Sequence, residues 1–253
     1  MLTWTPAALS DNTRRLSGRC WRVVEAQHVV STMALVDTLE EQALLEQVLD
    51  DSKPSIPAEC RHLHYLLFSP FRYGAIYPTG SRFRRAGPSP GVFYGSQQPE
   101  TAVAELAARR LLFFAESPAT PWPANAAEYT SFAITYSTRK GLDLTRPPFD
   151  RDVEKWTDPV DYSYCHDFAD AARAAGVQVL RYHSARADGV NIALLTCAAF
   201  AGTAPVDRHV WRVHFGSMGV RAIGDSPGQR LGFDRDAFAR DPRIAALNWD
   251  RAR

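Results

Sequence analysis

Cysteine is scarce in this chain of 253 residues, and what there is follows no pattern. Cys20, Cys60, Cys165 and Cys197 form no CxxC pair and are too scattered for a disulfide framework. They are expected to be free thiols in a reducing compartment. No run approaches the roughly 18 consecutive apolar residues of a membrane span. The opening MLTWTPAALSDNTRR has no basic start followed by an apolar stretch, so no secretory leader is expected and a cytoplasmic location is. An excess of one charge is missing too. The 29 Lys and Arg residues face 28 Asp and Glu, a net charge of +1, which argues against direct binding along nucleic acid, where clustered positive charge displaces counterions. There is no P-loop, no GxGxxG between a strand and a helix, no HExxH and no GxSxG. His62 and His64 give a metal cue of two ligands, too few for a site, so no metal is expected.

What is present reads as one α+β domain with a mixed sheet, helices and long loops. No internal repeat or low-complexity tract divides residues 1–253, and the core is expected over about 19–225, between a loose or briefly helical lead-in and a weakly patterned tail after 224. Residues 19–25 read as a strand. Residues 36–50 read as a helix, with Leu39, Leu44, Val48 and Leu49 near one face and Thr38 and Glu41 at capping-box spacing. Two prolines in DSKPSIP (51–57) break regular structure. Residues 60–96 read as a long irregular segment entering a strand at 91–96, and 100–115 as a helix rich in good formers. Phe132, Ile134 and Tyr136 alternate along a strand at 130–137. After a loop over 146–162, a helix at 164–175 ends at Gly176, and strands are expected at 177–182, 191–197 and 209–215.

The unusual stretch is 71–105. It runs from Arg72 and Tyr73 through Arg82, Arg84 and Arg85 in a Gly/Pro turn, to Tyr94 on a strand, to Glu105 on the next helix. Planar guanidinium groups suit phosphate, although any one arginine also reads as a solvated surface charge. Glu105 sits among Val103, Ala104, Leu106 and Ala107, so it lies either on the polar face of an amphipathic helix or partly buried.

GSRFRRAGPSPGVFYGSQQPETAVAEL (80–106) resembles the core of the RES family, named for its Arg, Glu and Ser. The matching residues are Arg82, Tyr94, Glu105 and, in RYHSARADGVNIALL (181–195), Ser184 followed by Asn191. CWRVVE (20–25) resembles the family's opening strand, and the likeness spans most of 20–200. Arg72–Tyr73 and Arg84 compete with Arg82 for the arginine role, and the PSP insertion between Gly87 and Gly91 departs from the shortest family pattern.

The resemblance implies a fold like that of ADP-ribosyltransferases and a toxin of a toxin–antitoxin pair. It implies an enzyme that cleaves the nicotinamide–ribose bond of NAD⁺ by hydrolysis or phosphorolysis or, alternatively, transfers ADP-ribose to a protein. NAD⁺ is then the substrate, no separate cofactor is implied, and the partner is an antitoxin with an Xre-like helix-turn-helix domain. Glu105, Arg82, Tyr94 and Ser184 are the implied catalytic set, with Arg72, Tyr73, Arg84 and Asn191 as NAD-binding candidates.

Overall fold

The chain enters on a short helix, α1 (Pro6–Asp11), begun by Thr5, whose side chain accepts from the Ala8 N–H. It passes directly into β1 (Arg14–Glu25), which starts well before the expected residue 19. The computed structural model describes residues 4–26, 35–72 and 80–251. Helix α2 (Leu39–Asp51) carries the expected capping box: Thr38 accepts from Glu41 N–H, and the Glu41 carboxylate reaches back to the Thr38 N–H. Its four apolar residues do not face a core. Leu39, Leu44, Val48 and Leu49 are all exposed, and Gln42 is the buried position.

The segment expected to be irregular contains a helix, α3 (Tyr65–Arg72), which tolerates Pro70 near its end. Strand β2 (Phe93–Ser96) then leads into α4 (Pro99–Glu116). The alternation over 130–137 belongs to a much longer strand, β3 (Ala127–Asp143). A short turn, α5 (Val153–Trp156), interrupts the next loop. Helix α6 (Ser163–Ala174) ends at Gly176 as expected: φ is +71°, and the Val177 N–H reaches back to the Ala172 carbonyl at 2.9 Å. The remaining elements are β4 (Val179–His183), β5 (Val190–Leu194), β6 (Asp207–Gly216), β7 (Gly219–Gly224), β8 (Arg230–Phe233) and α7 (Pro242–Ala245).

The sheet is mixed, in the order β1-β2-β5-β4-β3-β6-β7-β8, and β1 also pairs with β3. Five strands therefore form a closed circuit, β1-β2-β5-β4-β3, and the β6–β8 meander extends from the first half of β3. Among the described strands only the β3–β4 pairing is parallel. Every strand of the circuit sends side chains into one core: Cys20, Phe93, Phe132, Ile134, Tyr136, Val179, Ile192 and Leu194, closed by Leu66, Leu67 and Phe71 of α3. A second core joins α6 to Phe83, Phe149, Trp156 and Tyr182. A third lies between α4 and the β6–β8 extension, and the tail supplies Phe238, Ile244, Leu247 and Trp249 to it. The weak pattern after 224 thus hides core residues, because they come from short turns rather than a periodic element. Each such fully buried aromatic or aliphatic side chain is worth about 1.5–3 kcal/mol of transfer free energy.

The expectation of four free thiols is corrected. Cys60 and Cys197 form a disulfide between two short 3₁₀ turns, with their Cα atoms 5.7 Å apart, while Cys20 and Cys165 are free and buried. A separation of 137 residues leaves no local sign of such a pair. No described helix is long and apolar enough to cross a membrane.

Candidate active site

The site begins with strand register. Tyr94 lies opposite Ala193, while Ser96 and Tyr182 both lie opposite Asn191. Side chains alternate along strands, so Tyr94, Ser96, Tyr182 and Asn191 share one face of the β2-β5-β4 sheet. Ser184, in the turn after β4, continues that face. Helix α4 brings Glu105 against it. Small residues on either side, Ala102, Ala104, Ala107 and Ala108, are buried and let the helix approach closely. The Ser184 turn closes on the same helix at Gly189, where a β-carbon would collide with the Thr101 side chain.

Glu105 is half-buried, not on an open polar face. Its Oε1 accepts two hydrogen bonds, from Ser184 Oγ at 2.7 Å and Asn191 Nδ2 at 2.6 Å. The direction of each follows from the neighbours. Ser184 Oγ already accepts the N–H groups of Arg186 and Ala187, at 3.0 and 3.1 Å, so its single proton goes to the carboxylate. Ser96 Oγ donates to Asn191 Oδ1 at 2.6 Å, which turns the amide nitrogen toward Glu105. Among the described residues no hydrogen bond falls on Oε2, so one carboxylate oxygen is fixed and the other is left for a ligand.

The arginine turn is built beside this network. Gly80 takes a left-handed φ of +63°, and Ser81 and Arg84 close the turn through paired backbone bonds. The Tyr94 hydroxyl anchors it, accepting the Phe83 N–H and sharing a hydrogen bond with Ser81 Oγ, both at 2.9 Å. Burial pushes the Tyr94 phenol above its ordinary pKa, with Ser81 and Phe83 pulling the other way, and Tyr182 is raised further by burial. Tyr94 thus has a structural task for its hydroxyl, whatever its ring does.

Arg82 donates Nη1 to the Trp156 carbonyl at 2.6 Å, and its guanidinium carbon lies 4.7 Å from the Tyr162 ring centre. Burial disfavours its charge, but the potential of Tyr162, Cys165, Tyr182 and Glu105 outweighs that and raises its pKa. Glu105 is the last of these influences on Arg82, so the two charges sense one another without a direct hydrogen bond or ion pair among the described residues.

The other arginines go elsewhere. Arg84 is buried in the same turn, with Nε on Ser89 Oγ at 3.3 Å. Arg72 is committed to the end of α2: Nε donates to the Pro54 carbonyl at 2.6 Å and Nη1 to Asp50 Oδ1 at 2.9 Å, and Arg72 holds the Asp50 carboxyl below its usual pKa. It does not join the Glu105 group. Tyr73 lies outside the described residues. His64 Nδ1 accepts the Leu66 N–H at 3.2 Å, a role internal to its turn.

Several participants escaped sequence reasoning. Ser96 could have been found, because it lies two residues after Tyr94 on the same face. Trp156, Tyr162 and His166, whose Nε2 meets the Ser81 carbonyl at 2.8 Å, come from the loop after β3 and from α6, and nothing local marks them. Arg186 is equally silent: it pairs with Asp241 at 2.9 Å, with side-chain exposures of 6% and 0%. That ion pair ties the Ser184 turn to the tail. Pro159 O accepts from both Arg186 and Arg243, closing the loop over the same region.

No curated protein matches the chain. Among solved structures, one chain of the M. tuberculosis MbcT–MbcA toxin–antitoxin complex is similar at 16% identity and a TM-score of 0.44, over 81% of this chain and 94% of that one. A model of the RES domain matches residues 56–216, which include Arg82, Tyr94, Glu105, Ser184 and Asn191. The chain belongs to the RES domain family.

Proposed function

We propose that this protein is a toxin-like enzyme that cleaves the nicotinamide–ribose bond of NAD⁺. The observation that carries the reading is Glu105: a half-buried carboxylate with one oxygen held by Ser184 and Asn191 and, among the described residues, no hydrogen bond on the other, on the same side of the sheet as the turn that carries Arg82. When the C–N bond breaks, its electron pair leaves with nicotinamide and neutralises the ring, while the ribose carbon takes on oxocarbenium character. A carboxylate already fixed in place stabilises that charge without reorganising. Ser184 and Asn191 orient it, and Ser96 orients Asn191. The donors of Arg82 not used by Trp156 are those available to the pyrophosphate. Water or inorganic phosphate then attacks the ribose carbon, giving ADP-ribose or its phosphorylated form. On this reading the sheet serves as an ADP-ribosyltransferase-like scaffold, the protein acts in the cytoplasm, and an Xre-like helix-turn-helix antitoxin neutralises it.

The test is NAD⁺ turnover by the purified chain, with and without phosphate, followed by identification of the products. Nicotinamide release should fall about 100- to 1,000-fold in Glu105→Gln, the range expected for losing one preorganised electrostatic group. Full turnover in that variant would remove the mechanism. Label from NAD⁺ appearing in a protein rather than in small molecules would instead assign a protein ADP-ribosyltransferase with the same cleavage step.

A further inference from the structure

The face of the β2-β5-β4 sheet opposite the Glu105 network ends in a cleft of about 360 Å³, lined by Arg14, Arg15, Leu16, Ser17, Gln97, Tyr136, Asp143, Arg146 and Arg181. Its separation from the first site follows from the same register. Arg181 and Gln97 are the immediate neighbours of Tyr182 and Ser96, and alternation turns them to the other side. The lining is gathered where β1 begins and β3 ends, at an irregularity between Arg14/Leu16 and Gly141/Thr138 of the kind that re-aims side chains.

We propose that this cleft binds a small phosphorylated molecule through Arg14, Arg15, Arg146 and Arg181. Four guanidinium groups there face a single carboxylate, Asp143. Asp143 is shared between Arg181 Nη1, at 3.0 Å, and Arg146 Nε, at 3.5 Å. Among the described residues, neither Arg14 nor Arg15 has a carboxylate within ion-pair distance, and both are exposed to solvent. An anion therefore meets uncompensated positive charge on Arg14 and Arg15 beside a fixed arginine, since Arg181 Nη1 is engaged by Asp143 and Thr145 and Nη2 by Gln97 Oε1 at 3.3 Å. Planar forks of this kind match phosphate oxygens in pairs, which a spherical anion cannot exploit. Ser17 and Tyr136 add neutral hydroxyl donors, and burial pushes the Tyr136 phenol up to about 12, so it keeps its proton at neutral pH. The volume falls within the range of small-molecule pockets and exceeds what one inorganic phosphate fills.

The experiment is calorimetric titration of the full chain with inorganic pyrophosphate and, separately, with glycerol phosphate, at constant ionic strength. One of the two probes should bind, and the double variant Arg14→Ala/Arg15→Ala, which alters only exposed side chains, should weaken that binding at least 10-fold. In an Arg82→Ala background, which removes the pyrophosphate ligand proposed at the Glu105 site, the component of binding that depends on Arg14 and Arg15 should persist, which distinguishes the two sites. Thermal melting of the double variant checks that it folds. Absence of binding by either probe, equal displacement by chloride, or binding lost in Arg82→Ala and retained in the double variant would each overturn the proposal.

Discussion

Helix α2 has the better cap, and helix α4 has the better-packed face. Thr38 and Glu41 close a full capping box on α2, yet its leucines point outward, with Leu39 81% exposed. At the start of α4, Gln98 makes no side-chain cap, and order comes instead from Pro99 in the first turn and from eight buried side chains between Thr101 and Phe114. The comparison separates two sources of helical order. A cap satisfies orphan N–H groups and sets where a helix starts. Packing sets what the helix faces, and only α4 is placed to hold a carboxylate against a sheet.

The comparison is sharpened most by Asp241, at the start of α7, which packs on α4. Asp241→Ala leaves Arg186 buried without its carboxylate and should cost about 3–5 kcal/mol. In a melt this is a fall on the order of 10 °C. An unchanged melting temperature would deny that the tail buttresses the Ser184 turn. The same pair makes a pH prediction. Burial alone would raise the Asp241 pKa, but Arg243 and Arg186 hold it below its ordinary value. A folded-state pKa lower than the unfolded one stabilises above the unfolded value and is lost as pH falls through the folded value. Stability from this pair should therefore be full at neutral pH and decline below about pH 4. In Asp241→Ala that part of the acid slope should be missing.

The next effect contrasts the two helices directly. Leu111→Ala, in the core beneath α4, should destabilise by about 2–5 kcal/mol in denaturant unfolding. Leu44→Ala on α2 should change the same measurement by less than about 0.5 kcal/mol. Similar losses at the two positions would show that α2 is packed in solution. The smallest effect belongs to the cap. Thr38→Ala should weaken α2 by about 1 kcal/mol, read as faster amide exchange over 39–51. Exchange in α4 should stay unchanged, because the two helices draw their order from different places.

Much of the fold was legible because it depends on neighbours in sequence. Helices α2, α4 and α6, the Gly176 stop and strands β4 to β6 follow from periodicity, caps and a left-handed glycine. Helix α3 is hidden because Pro70 reads as a breaker; it falls two residues before the helix stops, so its missing N–H and ring limit the helix there rather than interrupting a longer one. The first part of β1 is not announced in the sequence because Leu16 is the one apolar residue from Arg14 to Ser17, too little for an alternation to show. At the site, the order Arg82, Tyr94, Glu105, Ser184 was visible, as was Asn191. Which arginine stands near Glu105 was not, because Arg72 and Arg82 have similar aromatic neighbours and differ only in distant partners, Asp50 for one and Trp156 for the other.

Local chemistry in the sequence decided which segments become helix or strand and which residue types are available for the reaction, since propensity, capping and alternation act over a few positions. Tertiary structure alone decided that Glu105 turns toward Ser184 and Asn191, that Cys60 meets Cys197, and that the tail supplies a buried charge to Arg186. Each of those contacts joins residues more than 50 positions apart, and no pattern within a segment encodes where a distant segment will stand.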